Sequence, residues 1–124
     1  MTAARPGHHD ASVVDLLIEA LVKCSDARRR RNAAKALGQF GPLARHAVYD
    51  LAAALRDPDA GVRWHSARSL GRIGPTAMSA ISDLASALRD PVGPVRAAAA
   101  ETLAAVWTAM LPPEPAAGQG GGKS

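Results

Sequence analysis

Aromatic side chains are nearly missing from this chain. They make up 3% of its 124 residues, and Phe40, Tyr49, Trp64 and Trp107 are all of them. Alanine is abundant instead, a balance that suits closely packed helices better than sheets. Cysteine occurs once, at Cys24, so no internal disulfide can form; within an apolar helical pattern it reads as a small buried or half-buried residue. No stretch approaches the ~18 apolar residues of a membrane span, and the first ten residues carry no apolar run. The expectation is therefore a chain with no anchor and no export signal, with a cytoplasmic location as the default. The length allows one small domain with a modest core. A net charge of +4 and a pI near 10.0 favour acidic partners, a statement about encounter rather than about fold.

What the chain does have is a repeat. Asp50-Leu51-Ala52-Ala53-Ala54-Leu55-Arg56-Asp57-Pro58 returns 33 residues later as Asp83-Leu84-Ala85-Ser86-Ala87-Leu88-Arg89-Asp90-Pro91. Val62-Arg63 returns as Val95-Arg96, Leu70 as Leu103, and Ile73 as Val106. A weaker copy stands 33 residues earlier, where Ala34, Leu37, Gly38, Phe40, Gly41 and Pro42 precede Ala67, Leu70, Gly71, Ile73, Gly74 and Pro75. A period of this size marks a solenoid, whose units bury their apolar faces by stacking on one another.

Within each unit the apolar residues recur at helical spacing. Ser12 stands as a cap for a first helix with Val13, Val14, Leu17, Ile18, Leu21 and Val22 on one stripe. Asp26 caps a second helix from Ala27 to about Phe40, which Gly41-Pro42 stops. The next unit repeats the plan with a helix from Leu43 to Arg56 that buries Ala47, Val48, Leu51, Ala54 and Leu55. Asp59 then caps a helix that buries Val62, Ser66, Leu70 and Ile73. In the last unit a helix over Thr76–Arg89 buries Ile81, Leu84 and Leu88, and a closing helix from about Pro94 buries Val95, Ala99, Leu103 and Val106. The predicted fold is all-α, a right-handed α-solenoid (α-α superhelix) of about three helical hairpins. Residues 1–11 read as a flexible arm and 12–111 as the repeat domain, divided near 12–42, 43–75 and 76–111. Residues 112–124 read as a flexible Pro/Gly-rich tail.

The shared pattern, Leu-Arg-Asp-Pro-Asp-x-x-Val-Arg followed by Leu-Gly-x-Ile-Gly, resembles HEAT repeats, in the short form known from phycobilin lyases. Ankyrin and tetratricopeptide signatures are missing. The resemblance implies a ladder in which turn aspartates and following arginines link adjacent repeats, here Asp57 with Arg63 and Asp90 with Arg96. Each aspartate is expected within reach of one of those two arginines. In the first unit Cys24 takes the place of the aspartate while Arg30 remains, so the ladder is expected to break at the amino-terminal end.

The strongest charge feature is Arg28-Arg29-Arg30-Arg31. Placed on aligned second helices, Arg31, Lys35, Trp64 and Arg68 share one outward angle, with Arg28, His65 and Arg72 beside them. An indole among cations suits an acidic protein partner or the stacking of nucleobases, and Trp64 could equally serve as packing between repeats. No metal site, cofactor or catalytic residue can be argued. His8-His9 lies in the loose arm, His46 and His65 fall on different helices without an acidic residue next in sequence, and the His-Glu pairs of HEAT-like hydroxylases are missing. The glycine-rich Ala117–Ser124 matches a loose phosphate-loop pattern, but no strand precedes it. Trp107 and Met110 near the end of the last helix either seal the stack or support end-to-end self-association. The reading is a non-catalytic protein-interaction module with a basic concave face. A nucleic-acid-binding module and a phycobilin lyase-like subunit are the alternatives.

Overall fold

The computed structural model describes residues 9–113, so most of the amino-terminal arm, with His8, and the tail from residue 114, with its glycine-rich stretch, lie outside the described residues. Six α-helices follow one another: α1 (His9–Lys23), α2 (Ala27–Phe40), α3 (Val48–Ala54), α4 (Ala60–Ile73), α5 (Ile81–Ala87) and α6 (Gly93–Met110). They form three hairpins, α1/α2, α3/α4 and α5/α6, and no strand occurs among the described residues. The result is a small α-solenoid.

The turn chemistry sets the hairpins. Asp26 caps α2 by accepting the Arg28 N–H at 3.0 Å, and Asp59 caps α4 by accepting the Val62 N–H at 2.9 Å. Gly41 and Gly74 end α2 and α4 with φ of 60° and 101°, a region that glycine enters freely. In the third hairpin Val92 takes the cap position with no side-chain bond, and Pro94 occupies the first turn of α6.

Three expectations need correction. Helix α1 starts at His9, so Ser12 lies inside the helix rather than ahead of it. The helices expected over Leu43–Arg56 and Thr76–Arg89 are each split. A 3₁₀ segment runs over Gly41–Ala47 or Pro75–Ala80, and an α-helix of 7 residues follows it. In the first of these the break falls at Ala44 (φ −99°, ψ 22°), just after the Gly-Pro stop has reset the chain direction. Finally, Val13, Val22 and Leu88 are exposed rather than buried, and Leu17, Ile18, Ile81 and Leu103 are only partly covered. These residues belong to the two end hairpins, each of which has a neighbouring repeat on one side only.

One continuous core runs from Val14 and Leu21 through Leu37, Leu51 and Leu70 to Leu84 and Val106, and Val95 is buried as well. Helices α2, α4 and α6 pack on one another closely, whereas α1, α3 and α5 touch sparingly. Small residues allow the close layer. Gly38 faces Ser69, and Gly71 faces Thr102. The hydroxyls of Ser69 and Thr102 donate to the Ala34 and Ala67 carbonyls at 2.5 and 2.7 Å.

Candidate binding face

A ladder of arginines ties the hairpins together. Arg30 donates from Nε to Asp57 Oδ2 at 2.8 Å and from Nη2 to Asp57 Oδ1 at 3.1 Å. Its Nη1 donates to the carbonyls of Cys24 and Ser25 at 3.0 and 2.9 Å. Arg63 repeats this set, with Asp90 at 2.7 and 3.2 Å and the Asp57 and Pro58 carbonyls at 2.9 and 3.1 Å. Each arginine therefore takes backbone oxygens of its own turn and the carboxylate of the next turn, a bidentate geometry. The pairings Asp57 with Arg63 and Asp90 with Arg96 are corrected accordingly: Arg63 reaches Asp57 only at its carbonyl, and Arg96 reaches only the Asp90 carbonyl, at 2.6 Å. Nor is the amino-terminal end where the ladder breaks. Cys24 supplies Arg30 with a backbone oxygen, which any residue can do, and Arg30 has its carboxylate. Arg96 is the arginine without one among the described residues.

This ladder ties α2 to the turn that precedes α4, and basic side chains come together on the layer of second helices. Lys35 of α2 and Trp64, His65, Arg68, Ser69 and Arg72 of α4 line a hollow of about 200 Å³. The Arg68 guanidinium lies 4.8 Å from the centre of the Trp64 ring, and His65 meets that ring edge-on at 4.8 Å. Trp64 is half-buried, and its inner part packs against the core. No carboxylate lines the hollow. Burial pushes the His65 imidazole below its ordinary pKa of 6.5, and the charges of Lys35, Arg68 and Arg31 push it the same way.

Two residues assigned to this face by their helical angle stand apart from the hollow. Arg31 lies across Gly61, with its Nε 3.1 Å from Asp59 Oδ2, an ion pair without hydrogen-bond geometry. Arg28 sits exposed at the start of α2 and does not line the hollow. A residue that angle alone missed is Ser69, which lines the hollow and holds α4 close to α2; its place among small residues was the available signal. Beyond Arg68 and Arg72 a second, shallower hollow of about 190 Å³ includes Glu101, Thr102 and Ala105, so the basic surface ends at an acidic residue.

Other chemistry is thin. No group of three His, Cys, Asp or Glu side chains among the described residues could hold a metal ion. His46 faces Asp15 at 3.0 Å on the opposite layer. No described helix is long and apolar enough to cross a membrane. Trp107, Met110 and Leu111 are exposed at the end of α6, with Trp107 at 58%.

No curated protein matches the chain closely enough to lend it an activity. A model of HEAT repeats matches residues 14–104, from α1 to the last turns of α6, without singling out the lyase form. That span covers all three hairpins and both complete rungs of the ladder, and the chain belongs to the HEAT-repeat family.

Proposed function

We propose that the protein is a non-catalytic interaction module that takes an acidic segment of a partner protein in the hollow between α2 and α4. One observation carries this reading. Lys35, Arg68, Arg72 and His65 converge on Trp64 in a hollow with no carboxylate in its lining. Such a cluster is relieved by a carboxylate from outside, and the ring edge offers apolar contact beside it. Nucleobase stacking is the weaker use of the same surface, because the Arg68 guanidinium already lies over the indole face that a base would cover.

A poly-glutamate peptide titrated at low and moderate salt tests the proposal, with Trp64 fluorescence read in a Trp107→Phe background. Binding should weaken as salt rises. Arg68→Glu should weaken it by roughly tenfold or more, by turning one attraction into repulsion. Single-stranded and duplex oligonucleotides run as parallel arms. If they bind and the peptide does not, the nucleic-acid reading replaces this one. If nothing binds at low salt, the hollow has no anion-binding role.

The histidine adds a pH dependence. With its folded pKa depressed, His65 is neutral in the free protein near pH 7. A bound carboxylate favours the imidazolium, so binding takes up a proton and tightens as pH falls below about 6.5. Peptide affinity should therefore rise between pH 7.5 and pH 5.5 in the parent protein and stay flat in His65→Gln. The stability effect has the opposite direction. The unfolded chain binds the proton first, so this residue's contribution is present above about 6.5 and declines as pH falls towards the depressed value.

A further inference from the structure

The carboxy-terminal end of the solenoid carries the donor half of an inter-repeat joint, and the amino-terminal end does not carry the acceptor half. Three arginines reach forward to an aspartate 27 residues later: Arg30 to Asp57, Arg56 to Asp83, and Arg63 to Asp90. The repeat equivalents of Arg56 and Arg63 in the last hairpin are Arg89 and Arg96. Both are exposed, and neither has a carboxylate partner among the described residues.

The apolar surface around them follows the same rule. Leu55, which the third hairpin covers, is 5% exposed, and its equivalent Leu88 is 41% exposed. Ala52, Ala67 and Leu70 are buried, whereas their equivalents Ala85 and Ala100 are exposed and Leu103 is only half-covered. The end of the stack thus repeats the main features of the surface on which the third hairpin sits, with Ala104 in the place of Gly71.

At the other end, Leu17 stands where Asp50 and Asp83 stand, and Cys24 stands where Asp57 and Asp90 stand. A second copy stacked head to tail would meet both arginines with an alkyl chain and a thiol. A second copy paired face to face would oppose each arginine set with its own like. Neither arrangement supplies the two carboxylates.

We infer that this end docks a helical hairpin of another polypeptide carrying an Asp-x6-Asp pair, one aspartate in its first helix and one in the following turn, as in Asp83 and Asp90. The first aspartate takes Arg89 and the second takes Arg96, while Leu88, Ala100 and Leu103 are covered as Leu55, Ala67 and Leu70 are. This surface is separate from the hollow between α2 and α4, and the two readings stand or fall independently.

The chain itself supplies the probe. In Leu17→Asp/Cys24→Asp the amino-terminal end gains both acceptors, so copies should stack head to tail. Sedimentation at rising concentration should show a mass that grows with concentration for this variant and a monomer for the parent. Adding Arg89→Glu/Arg96→Glu should restore the monomer, weakening association by about tenfold or more. Cys24→Asp alone should give a smaller rise in the same direction. It places a carboxylate where two other repeats already hold one, and serves if the double variant loses its circular-dichroism signature of a folded helical protein. Acceptor variants that fold and stay monomeric overturn the inference. So does a dimer of the parent that is lost on Trp107→Glu, because this would give the same end to self-association through Trp107 and Met110.

Discussion

Asp90→Ala should lower the unfolding free energy by about 1–3 kcal/mol, measured by urea denaturation at neutral pH. Asp90 is 8% exposed, and the Arg63 side chain that it holds is 12% exposed, so water cannot replace the lost bonds. The substitution strands two guanidinium donors and the Val92 N–H, which Asp90 accepts at 2.9 Å. Since α6 has no other side-chain cap, its entry loosens with the ladder. Asp83→Ala is the contrasting case. Its bond to Arg56 is shorter, at 2.5 Å, but that arginine is 67% exposed, and a solvated pair of this kind contributes about 0–1 kcal/mol. Burial decides between the two, and length does not. Equal losses at both sites would remove the ladder's claim to hold the repeats.

The same carboxylate gives an acid limb of known sign. Burial alone would push the Asp90 carboxyl up. The Arg63 hydrogen bonds, the Val92 N–H and the charges of Arg63 and Arg96 together outweigh it and hold the group below its ordinary 3.8. A depressed folded pKa stabilises above the unfolded value, and that contribution disappears as pH falls through the folded one. The difference in stability between the parent and Asp90→Asn should therefore narrow on going from neutral pH to strongly acid solution.

The repeat period carried most of the fold to the surface of the sequence. Asp26, Asp59, Gly41-Pro42 and Gly74-Pro75 mark hairpin boundaries because each does a job that only a few side chains can do: accept an orphan amide, enter positive φ, or halt a helix. The direction of the ladder was not legible in the same way. Arg63 lies six residues after one aspartate and 27 before another, and spacing alone cannot say which turn the guanidinium reaches. Exposure at the ends was hidden too, since Leu55 and Leu88 occupy identical local patterns and differ only in whether a hairpin covers them. In the hollow between α2 and α4, the residues that helical angle groups, Lys35, Trp64 and Arg68 with His65 and Arg72, do line one surface. It misplaced Arg31, because Asp59 on the neighbouring hairpin draws that side chain away, and a one-helix projection contains no neighbour.

The approach of α2 to α4 yields the last prediction, in which helix propensity and packing point in opposite directions. Gly38 lies inside a helix, where alanine is favoured by about 1 kcal/mol. Gly38→Ala should nevertheless destabilise the protein by about 1–3 kcal/mol, as overpacked sites do. A methyl group there would fall on the Ser69 hydroxyl and come within 2.9 Å of the Ser69 backbone, which cannot rotate aside. The hydroxyl it displaces is the one bonded to the Ala34 carbonyl at 2.5 Å. Gly71→Ala should be milder, because its nearest obstacles are side-chain atoms of Thr102, with Oγ1 at 2.9 Å and Cγ2 at 3.4 Å. Ser69→Ala added to Gly38→Ala should recover only part of the loss, since the clash with the backbone of residue 69 remains. The spacing between α2 and α4 also sets the width of the hollow, so Gly38→Ala should weaken peptide binding while Gly71→Ala leaves it near the parent value. Urea melts and the fluorescence titration read the two effects separately. A stabilised Gly38→Ala variant, following propensity alone, would mean that the helices part without cost and that the close approach does not hold this face together.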